Sequence, residues 1–270
     1  LGWKFTEAIG ESDFLSFGKL RASYGEVAVA PLNYSLSTDF NIGGGVSSSW
    51  GDSLNGASLG GATSRANQQG NPNLLVERVK EVEVGADLKF FNNRVSTGFT
   101  YYDRETEDVI IGRLVSPATG FTSLLSNAAN ITNKGIEADI SATLVNSDNF
   151  KWTINANYSM NENLVTGPDT EEGDVIDTLN GFTGSAASVV DGSPFSVIYG
   201  SPLYRDLDSG ELILNDFGFP QLDPTGATPD RVLGDPNPEW RAGLGTTIEY
   251  KNFRLSAQFD AVQGNDVWNG

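Results

Sequence analysis

The sequence predicts an all-β protein that forms part of a large antiparallel transmembrane β-barrel, and three features carry this prediction. Apolar and polar residues alternate with a period of two along several stretches of about ten residues. Some of these stretches are joined by short polar turns, and others by long connections rich in Gly, Ser, Asn and Asp. The chain has no run of about 18 apolar residues that would form a membrane-spanning helix. Strands with one apolar face and one polar face therefore explain the pattern best.

The first hairpin shows the alternation most clearly. After a strand at 14–24 and a long connection at 25–79, apolar residues occupy the even positions from Val82 to Phe90. Beyond Asn92-Asn93 the apolar face moves to the odd positions Val95, Thr97, Phe99 and Tyr101. A two-residue turn pairs Phe90 with Val95 and so keeps one apolar face across both strands. Asn at both central positions supplies the positive φ angles of a type I′ turn.

The middle of the chain predicts four further strands. Two of them, at 132–145 and 150–160, keep their apolar residues at even positions on both sides of the turn between them. Only a connection with an odd number of residues, three or five, then keeps the apolar residues opposite each other, and we expect a β-bulge there. Two weaker strands follow on either side of a turn at 191–194, at 182–190 and 195–205.

The end of the chain predicts a second clear hairpin. Apolar residues alternate with polar ones along 240–250 and 253–261, and a turn at Lys251-Asn252 joins the two strands. A two-residue turn sets Glu249 opposite Arg254, which is an attractive cross-strand pair. The prediction therefore comprises about nine strands of one sheet.

The connections sort by length between the two ends of this sheet. Bacterial outer-membrane barrels have the same asymmetry, with short periplasmic turns and longer extracellular loops. Aromatic residues beside the short turns suit an interfacial girdle: Phe90, Phe91, Phe150, Trp152, Tyr250 and Phe253. A soluble β-sandwich is the alternative, because its strands also alternate apolar and polar residues. In a membrane barrel lipid covers the apolar face, whereas in a sandwich a second sheet covers it.

Composition excludes several classes of function. The 270 residues include 17 Lys and Arg against 35 Asp and Glu, and the net charge of −18 argues against nucleic acid as a partner. Without His or Cys, the chain itself provides no thiol nucleophile, Ser-His-Asp triad or usual zinc site. We therefore predict no enzyme, no catalytic residue, no cofactor and no metal site. Asp206, Asp208 and Glu211 weakly resemble a calcium loop, but their spacing favours a plain polar turn.

Five motifs follow one another along the chain: KLRASYG at 19–25, GNPNLLVERVKEVEVGADLKFFNNRVSTGFTYYDRETEDVI at 70–110, NAANITNKGIEADISATL at 127–144, DGSPFSVIYG at 191–200 and LGDPNPEWRAGLGTTIEYKNFRLSAQFDAVQGNDVWN at 233–269. In order and spacing they resemble the barrel region of the SusC/RagA family of TonB-dependent outer-membrane transporters. The chain departs from that family at Leu75-Val76-Glu77, where Lys-Pro-Glu is common, and in a short 206–232 stretch.

The resemblance implies a barrel of about 22 strands around an N-terminal plug, in the outer membrane of a Gram-negative bacterium of the Bacteroidota. It implies a SusD-like surface lipoprotein as a lid, the TonB complex as the source of energy, and oligosaccharides or peptides as cargo. We interpret residues 1–270 as a portion of the barrel domain, without the plug and the TonB box. A passive porin or adhesin barrel and a soluble all-β carbohydrate-binding domain are the alternatives.

Three loop aromatics are the candidates for contact with cargo or with the lid: Trp50, Phe121 and Phe182. Packing inside a folded loop is the alternative role for each ring. Charged residues of the predicted inner face either bind the plug or are solvated: Glu83, Asp87, Lys89, Glu137, Asp139, Arg241, Glu249 and Arg254. We place Leu88 and Ile248 near the middle of the lipid face, where Arg would cost about 2–4 kcal/mol and block assembly.

Overall fold

The computed structural model describes residues 1–10, 12–42, 63–182, 185–206 and 208–268, and strands dominate it. In chain order the strands are β1 (Gly2–Lys4), β2 (Leu15–Val29), β3 (Phe40–Ile42), β4 (Thr63–Arg65), β5 (Gln68–Gln69), β6 (Glu77–Phe90), β7 (Val95–Leu114), β8 (Ser123–Asn146), β9 (Phe150–Thr166), β10 (Val175–Phe182), β11 (Ser185–Val190), β12 (Val197–Gly200), β13 (Arg231–Gly234), β14 (Trp240–Tyr250) and β15 (Phe253–Gln263). Seven of them, β2, β6, β7, β8, β9, β14 and β15, are the long strands of one wall.

The wall is an open antiparallel sheet with strand order β1-β2-β6-β7-β8-β9-β14-β15, to which β5 adds a short parallel pairing with β8. Neighbours in the sheet are therefore also neighbours in the chain, except where an inserted segment separates them. The inserted segments fold separately, as a two-stranded sheet of β3 and β4 and a four-stranded sheet of β10 to β13. The all-β barrel-wall prediction is confirmed.

The prediction that 182–190 and 195–205 form strands of this wall is wrong. Within these stretches, β11 and β12 belong to the sheet of β10 to β13, which we call the outer sheet, and β9 pairs directly with β14. Val189 and Val197 are both fully buried, so the short strands β11 and β12 build a compact loop core. A membrane wall needs longer strands with two different faces.

The first hairpin has the predicted register and turn. Phe90 pairs with Val95, and Leu88 with Thr97. Asn92 and Asn93 have φ angles of 55° and 66°, as a type I′ turn requires. The amide of Arg94 donates to the carbonyl of Phe91 at 3.2 Å and closes the turn.

The next two turns also follow from the apolar pattern. Three residues, 147–149, connect β8 to β9, and a register shift between Thr143 and Val145 supplies the expected bulge. Beyond it, Ile140 lies opposite Ala156, so the apolar positions meet. At the last hairpin Tyr250 pairs with Phe253 across the predicted two-residue turn.

Helical structure is confined to short pieces in the part of the chain that the structure describes. One turn of α-helix, α1, covers Thr6–Ile9, and a 3-10 turn covers Pro117–Thr119. None of the helices in these ranges is long and apolar enough to cross a membrane.

A small core forms where the outer sheet meets the ends of β7, β8 and β9. It contains Ala128, Ala129, Val165, Ile176 and Val189. The partly buried side chains of Val109, Ile111, Ile131 and Phe195 pack against it. The outer sheet is therefore attached to the long-loop end of the wall by apolar burial.

Candidate functional site

The apolar face of the wall is continuous and uncovered. Cross-strand pairing places six residues of successive strands in one row: Leu88, Thr97, Ile140, Ala156, Leu244 and Phe259. Large side chains on this face remain open, with Val84 44%, Leu244 49% and Phe259 65% exposed. Within the described residues no second sheet packs on this face, so the structure lacks the sandwich arrangement.

Aromatic rings bound the apolar face at both ends. The predicted belt lies beside the short turns, and a second belt lies six to ten residues away along the strands and includes Tyr101, Tyr158 and Trp240. The rings of Tyr158 and Trp240 stack with centroids 6.1 Å apart. Just beyond, the ion pair of Lys134 and Asp103 at 3.0 Å ends the apolar surface.

The height of this band matches a bilayer. β14 has 11 residues from Trp240 to Tyr250, which corresponds to about 33 Å along the strand. At a tilt of about 45° the strand rises about 23 Å, close to the apolar band of about 25 Å on outer-membrane barrels. Ile248 lies opposite Trp152 of the turn-side belt, so its predicted mid-face position is wrong, whereas Leu88 shares one row of the sheet with Leu244. Leu244 lies nearer the middle.

The opposite face is ionic, and one guanidinium organises much of it. Arg21 on β2 contacts Glu83 at 3.2 Å through Nη1 and Asp87 at 3.1 Å through Nε. Its Nη2 also donates to Thr100 Oγ1 at 3.1 Å, across the intervening strand β6. A second pair joins Arg104 to Glu81. Several predicted inner-face charges are thus paired inside the wall itself.

Glycines on this face make room for the long polar side chains. A Cβ on Gly85 would lie 2.9 Å from Nη2 of Arg21, and a Cβ on Gly135 would lie 2.4 Å from the hydroxyl oxygen of Tyr102. The Tyr102 hydroxyl crosses Gly135 and donates to Asn161 Oδ1 at 3.1 Å. Side chains therefore lie flat across the neighbouring strand and reach the second strand away.

A shallow cleft along β7, β8 and β9 contains the less tightly paired groups. Glu137 and Arg241 share one row of the sheet with Ser159 between them. In the described ranges neither residue has an ion-pair partner within 4.0 Å, whereas Glu249 and Arg254 approach to 3.7 Å. Asn133 and Asn161 complete this part of the wall through an amide–amide hydrogen bond of 3.3 Å. The inner surface therefore combines neutralised ion pairs with amide and unpaired charged groups.

The outer sheet is held on the wall by directed hydrogen bonds as well as by its core. The amide of Val165 donates to the carbonyl of Ser193, and the amide of Gly192 donates to the carbonyl of Val165, both at 2.9 Å. Asn163 Oδ1 accepts from the amide of Phe195, whose carbonyl accepts from Asn237 Nδ2 at 2.9 Å. This sheet therefore sits firmly at the end of the wall opposite the short turns.

The comparisons with known proteins agree with this two-faced wall. Residues 1–270 match the family model described as TonB dependent receptor-like, beta-barrel. The chain belongs to this family of TonB-dependent receptor β-barrels. It is 31% identical over 289 residues to a TonB-dependent receptor of Formosa agariphila, covering 99% of this chain and 28% of that protein. The chain thus spans about a quarter of the length of that relative.

Two further similarities place the receptor chain near SusC and RagA. It is 27% identical over 208 residues to the TonB-dependent receptor SusC of Bacteroides thetaiotaomicron, covering 73% of this chain and 20% of SusC. Its fold is similar to a chain in the structure of the RagAB peptide transporter, with a TM-score of 0.72 and 19% identity over 97% of this chain and 28% of that one. The predicted resemblance is confirmed.

The three predicted contact aromatics of the receptor are not gathered into one site by the described residues. Trp50 lies outside the described residues, and so does the side chain of Phe182, whose backbone ends β10. Phe121 is half-buried, and the guanidinium of Arg65 stacks over its ring at 4.0 Å. Arg65 also donates to the carbonyl of Gly120, so this cation–π pair joins two loops. The roles of all three aromatics toward cargo or lid remain predictions.

The acidic turns of the receptor's 203–228 segment use their carboxylates for local hydrogen bonds. Asp206 Oδ1 accepts from the amide of Ser209 at 2.8 Å, from the Ser209 hydroxyl at 2.9 Å and from the amide of Asp208 at 3.1 Å, and these bonds lower the pKa of Asp206. Hydrogen bonds from the hydroxyls of Thr225 and Thr228 lower the pKa of Asp223 to about 2. Across the described ranges no three acidic side chains converge as a metal site.

Proposed function

We propose that the chain forms wall and extracellular loops of an outer-membrane receptor that imports oligosaccharides or peptides with energy from TonB. The exposed apolar band between two aromatic belts, backed by an ionic face, supports this proposal. Such a wall is stable where lipid covers one side and an aqueous or plug-filled lumen covers the other. The proposed location is the outer membrane of a Gram-negative bacterium.

The receptor family also suggests the remaining parts of the transport system. We infer that residues 1–270 are a portion of a larger barrel domain, with a plug and a TonB-binding segment elsewhere in the protein. A SusD-like surface lipoprotein is the proposed lid over the loops. The inner-face charges best suited to bind the plug are those without an ion pair in the described ranges, namely Lys89, Glu137, Asp139 and Arg241. Glu83 and Asp87, in contrast, are already paired with Arg21. Transport, with no catalysis by this chain, is the proposed role.

Family membership favours this energised receptor over a passive porin or adhesin. The uncovered apolar face likewise favours it over a soluble carbohydrate-binding domain, because a soluble protein rarely exposes so large an apolar surface. The peptide transporter among the similar structures supports polymer import as the activity.

The orientation of the wall is tested with an Arg on each face of β14. Leu244→Arg faces the proposed lipid and is expected to cost about 2–4 kcal/mol, whereas Ile248→Arg, beside the aromatic belt, is expected to cost about 0–1 kcal/mol. Thr247→Arg, on the ionic face, is the matched control and should assemble normally. Heat-modifiable migration of the full-length receptor and urea unfolding in lipid vesicles measure both effects.

Activity is tested in the same strains, by growth on the polymeric nutrient that induces the receptor, with and without TonB. The wild type and Thr247→Arg should support TonB-dependent growth, and Leu244→Arg should not. Normal assembly of Leu244→Arg would mean that the faces are reversed. TonB-independent growth would instead favour the passive porin.

A further inference from the structure

One strand of the ionic face carries only neutral side chains along most of its length. On β9 the six consecutive positions of this face from 153 to 163 are uncharged and polar: Thr153, Asn155, Asn157, Ser159, Asn161 and Asn163. The pairing of these residues with β8 has no register shift, so their side chains form one column with a repeat of about 6.7 Å. We call Asn155, Asn157, Ser159 and Asn161 the amide column.

The amide column is open. Its three asparagines are exposed, and Ser159 is half-buried. On the neighbouring strand, Gly243 lies beside Asn157 and Gly245 beside Asn155, so β14 adds no side chain next to these two amides. The end of the column nearest the long loops lines a cleft of about 240 Å³. The column is therefore accessible in the part of the receptor that the structure describes.

The charged residues that flank the amide column on β8 and β14 cancel or lean away. Glu137 and Arg241 lie on either side of Ser159 in one row, and their charges are opposite. Asp139 of β8 leans toward β7, because a Cβ on Gly98 would lie 2.4 Å from its Oδ1. A ligand on the column therefore meets neutral amides between balanced charges, which suits a neutral ligand better than an ion.

The amide column also keeps hydrogen-bonding groups to spare. In the described ranges the side chains of Asn157 and Ser159 make no hydrogen bond to another residue. Asn155 accepts from the hydroxyl of Ser141 at 2.7 Å through Oδ1, which leaves its Nδ2 free. Asn161 donates one Nδ2 hydrogen to Asn133 Oδ1 at 3.3 Å and has a second to offer. Each member of the column can therefore bind a further partner.

Elsewhere in the chain, asparagine side chains already bind main-chain groups in this way. Asn127 accepts from the amide of Leu75 at 2.9 Å through Oδ1 and donates to the carbonyl of the same residue at 3.1 Å through Nδ2. Asn163, the next position along β9, accepts from the amide of Phe195, whose carbonyl accepts from Asn237. A side-chain amide has the same donor and acceptor as a peptide bond, so it can satisfy both groups of one residue.

The repeat of the amide column matches that of an extended peptide. An extended chain turns the N–H and C=O groups of every second residue toward the same edge, with a repeat of about 6.7 Å. The column has this repeat because its side chains also come from alternate residues of a strand. An oligosaccharide presents separate hydroxyls instead of a donor and an acceptor at each step. The spacing therefore favours a polypeptide backbone as the ligand.

We propose that the amide column binds the backbone of an extended peptide as the peptide crosses the lumen. The side-chain amides pair with main-chain N–H and C=O groups, so binding does not depend on the sequence of the peptide. This inference rests on the proposed import function and selects peptide over oligosaccharide as the cargo. It places the path of the cargo along β9, between the long loops and the short turns.

The first test is photo-crosslinking in cells whose only copy of the full-length receptor carries Asn157→p-benzoylphenylalanine. The probe is a pool of biotinylated nonapeptides of mixed sequence. We expect the receptor to crosslink to the peptides when TonB is present and to lose this crosslink when TonB is absent. Ser23→p-benzoylphenylalanine is the control, because Ser23 is exposed on the same face but lies on β2, at the far side of the sheet from β9.

The second test measures uptake of the same peptides and of neutral hexasaccharides of glucose, xylose, mannose and galactose. The double variant Asn155→Leu, Asn157→Leu keeps the size of both side chains but removes their donors and acceptors. We expect it to lower TonB-dependent peptide uptake by about tenfold or more. Ser23→Ala should take up peptides as the wild type does, and heat-modifiable migration shows whether each variant is folded.

Three outcomes would overturn the inference: position 157 crosslinks to no peptide or only to the receptor's own plug, the receptor takes up a hexasaccharide but no peptide, or the double variant takes up peptides as the wild type does. TonB-dependent uptake of a hexasaccharide alone would refute the peptide path and leave the proposed function intact. Uptake that does not need TonB would refute the function itself.

Discussion

At Gly135 the inner wall carries no side chain, and the phenol of Tyr102 occupies that space on its way to Asn161. Arg21 crosses Gly85 in the same manner to reach Thr100. The absence of a Cβ at these positions lets a long polar side chain lie flat on the sheet. Single glycines thereby determine which inner-wall groups are bonded to each other and which project into the lumen.

Gly135→Ala is therefore expected to displace Tyr102 and break its hydrogen bond to Asn161. A Cβ there would also lie 2.5 Å from the carbonyl oxygen of Met160. This oxygen belongs to the backbone of a paired strand and can move only slightly. Overpacking of this kind costs about 1–3 kcal/mol. Gly25→Ala is the control, since a Cβ on Gly25 meets nothing within 4 Å. Urea unfolding in lipid vesicles compares the two, and equal stabilities would contradict the role given to Gly135.

Among the elements, the turns are the parts that local chemistry determines most completely. Asn92 and Asn93 adopt positive φ angles that most other side chains disfavour, and they fix the register of β6 and β7. In the outer loops, Asp223 Oδ2 accepts from the amide of Thr228 at 2.9 Å and from its hydroxyl at 2.7 Å. Its Oδ1 accepts from Thr225 in the same way. One carboxylate therefore holds a whole turn.

The turn at Asp223 is expected to open in acid. Its folded-state pKa of about 2 lies below the ordinary 3.8, so its contribution to stability is present above about pH 4. That contribution is lost as the pH falls through about 2, when the carboxylate is protonated. Hydrogen exchange of residues 219–230, corrected for the intrinsic rate at each pH, measures the change.

Asp223→Asn provides the comparison for this turn. The variant should show weaker protection at about pH 5 and little further change down to about pH 2, because its amide does not titrate there. If the protection of the wild-type turn from hydrogen exchange stayed constant over this pH range, the carboxylate of Asp223 would not be the group that stabilises the turn.

In the whole molecule, the wall and the outer sheet are stabilised in different ways. The wall presents an uncovered apolar face, which lipid covers in the proposed location, whereas the outer sheet rests on a small buried core at the ends of β7 to β9. Val165 of the wall and Val189 of the outer sheet meet in that core, and both are fully buried. The two parts should therefore respond separately to mutation.

Val189→Asp is expected to detach the outer sheet without unfolding the wall, because it buries a charge in the shared core. Limited proteolysis should then cut within 161–234, while heat-modifiable migration of the full-length receptor stays as in the wild type. Val232→Asp is the control, since Val232 is 38% exposed. Loss of heat-modifiable migration in Val189→Asp would show that wall and outer sheet fold as one unit.

The alternation of side chains predicted much of the wall because its period is a local property. The parity of apolar positions gave the hairpin registers at Asn92-Asn93 and Lys251-Asn252, and the odd connection after β8. The alternation did not predict that β11 and β12 lie outside the wall, because short apolar strands have the same residue pattern in a barrel wall and in the core of a folded loop. Nor did it locate the second aromatic belt, which appears only when distant strands are aligned.

The sequence by itself determined that this chain forms two-faced antiparallel strands with an apolar side and an ionic side, because each strand carries that information in consecutive residues. Only the tertiary structure decided which strands neighbour each other and which residues meet across them. The side chain of Arg21 reaches Thr100, and that of Arg65 stacks on Phe121, only in the folded chain. Such long-range contacts depend on which strand edges and loop surfaces remain free after the local hairpins have formed.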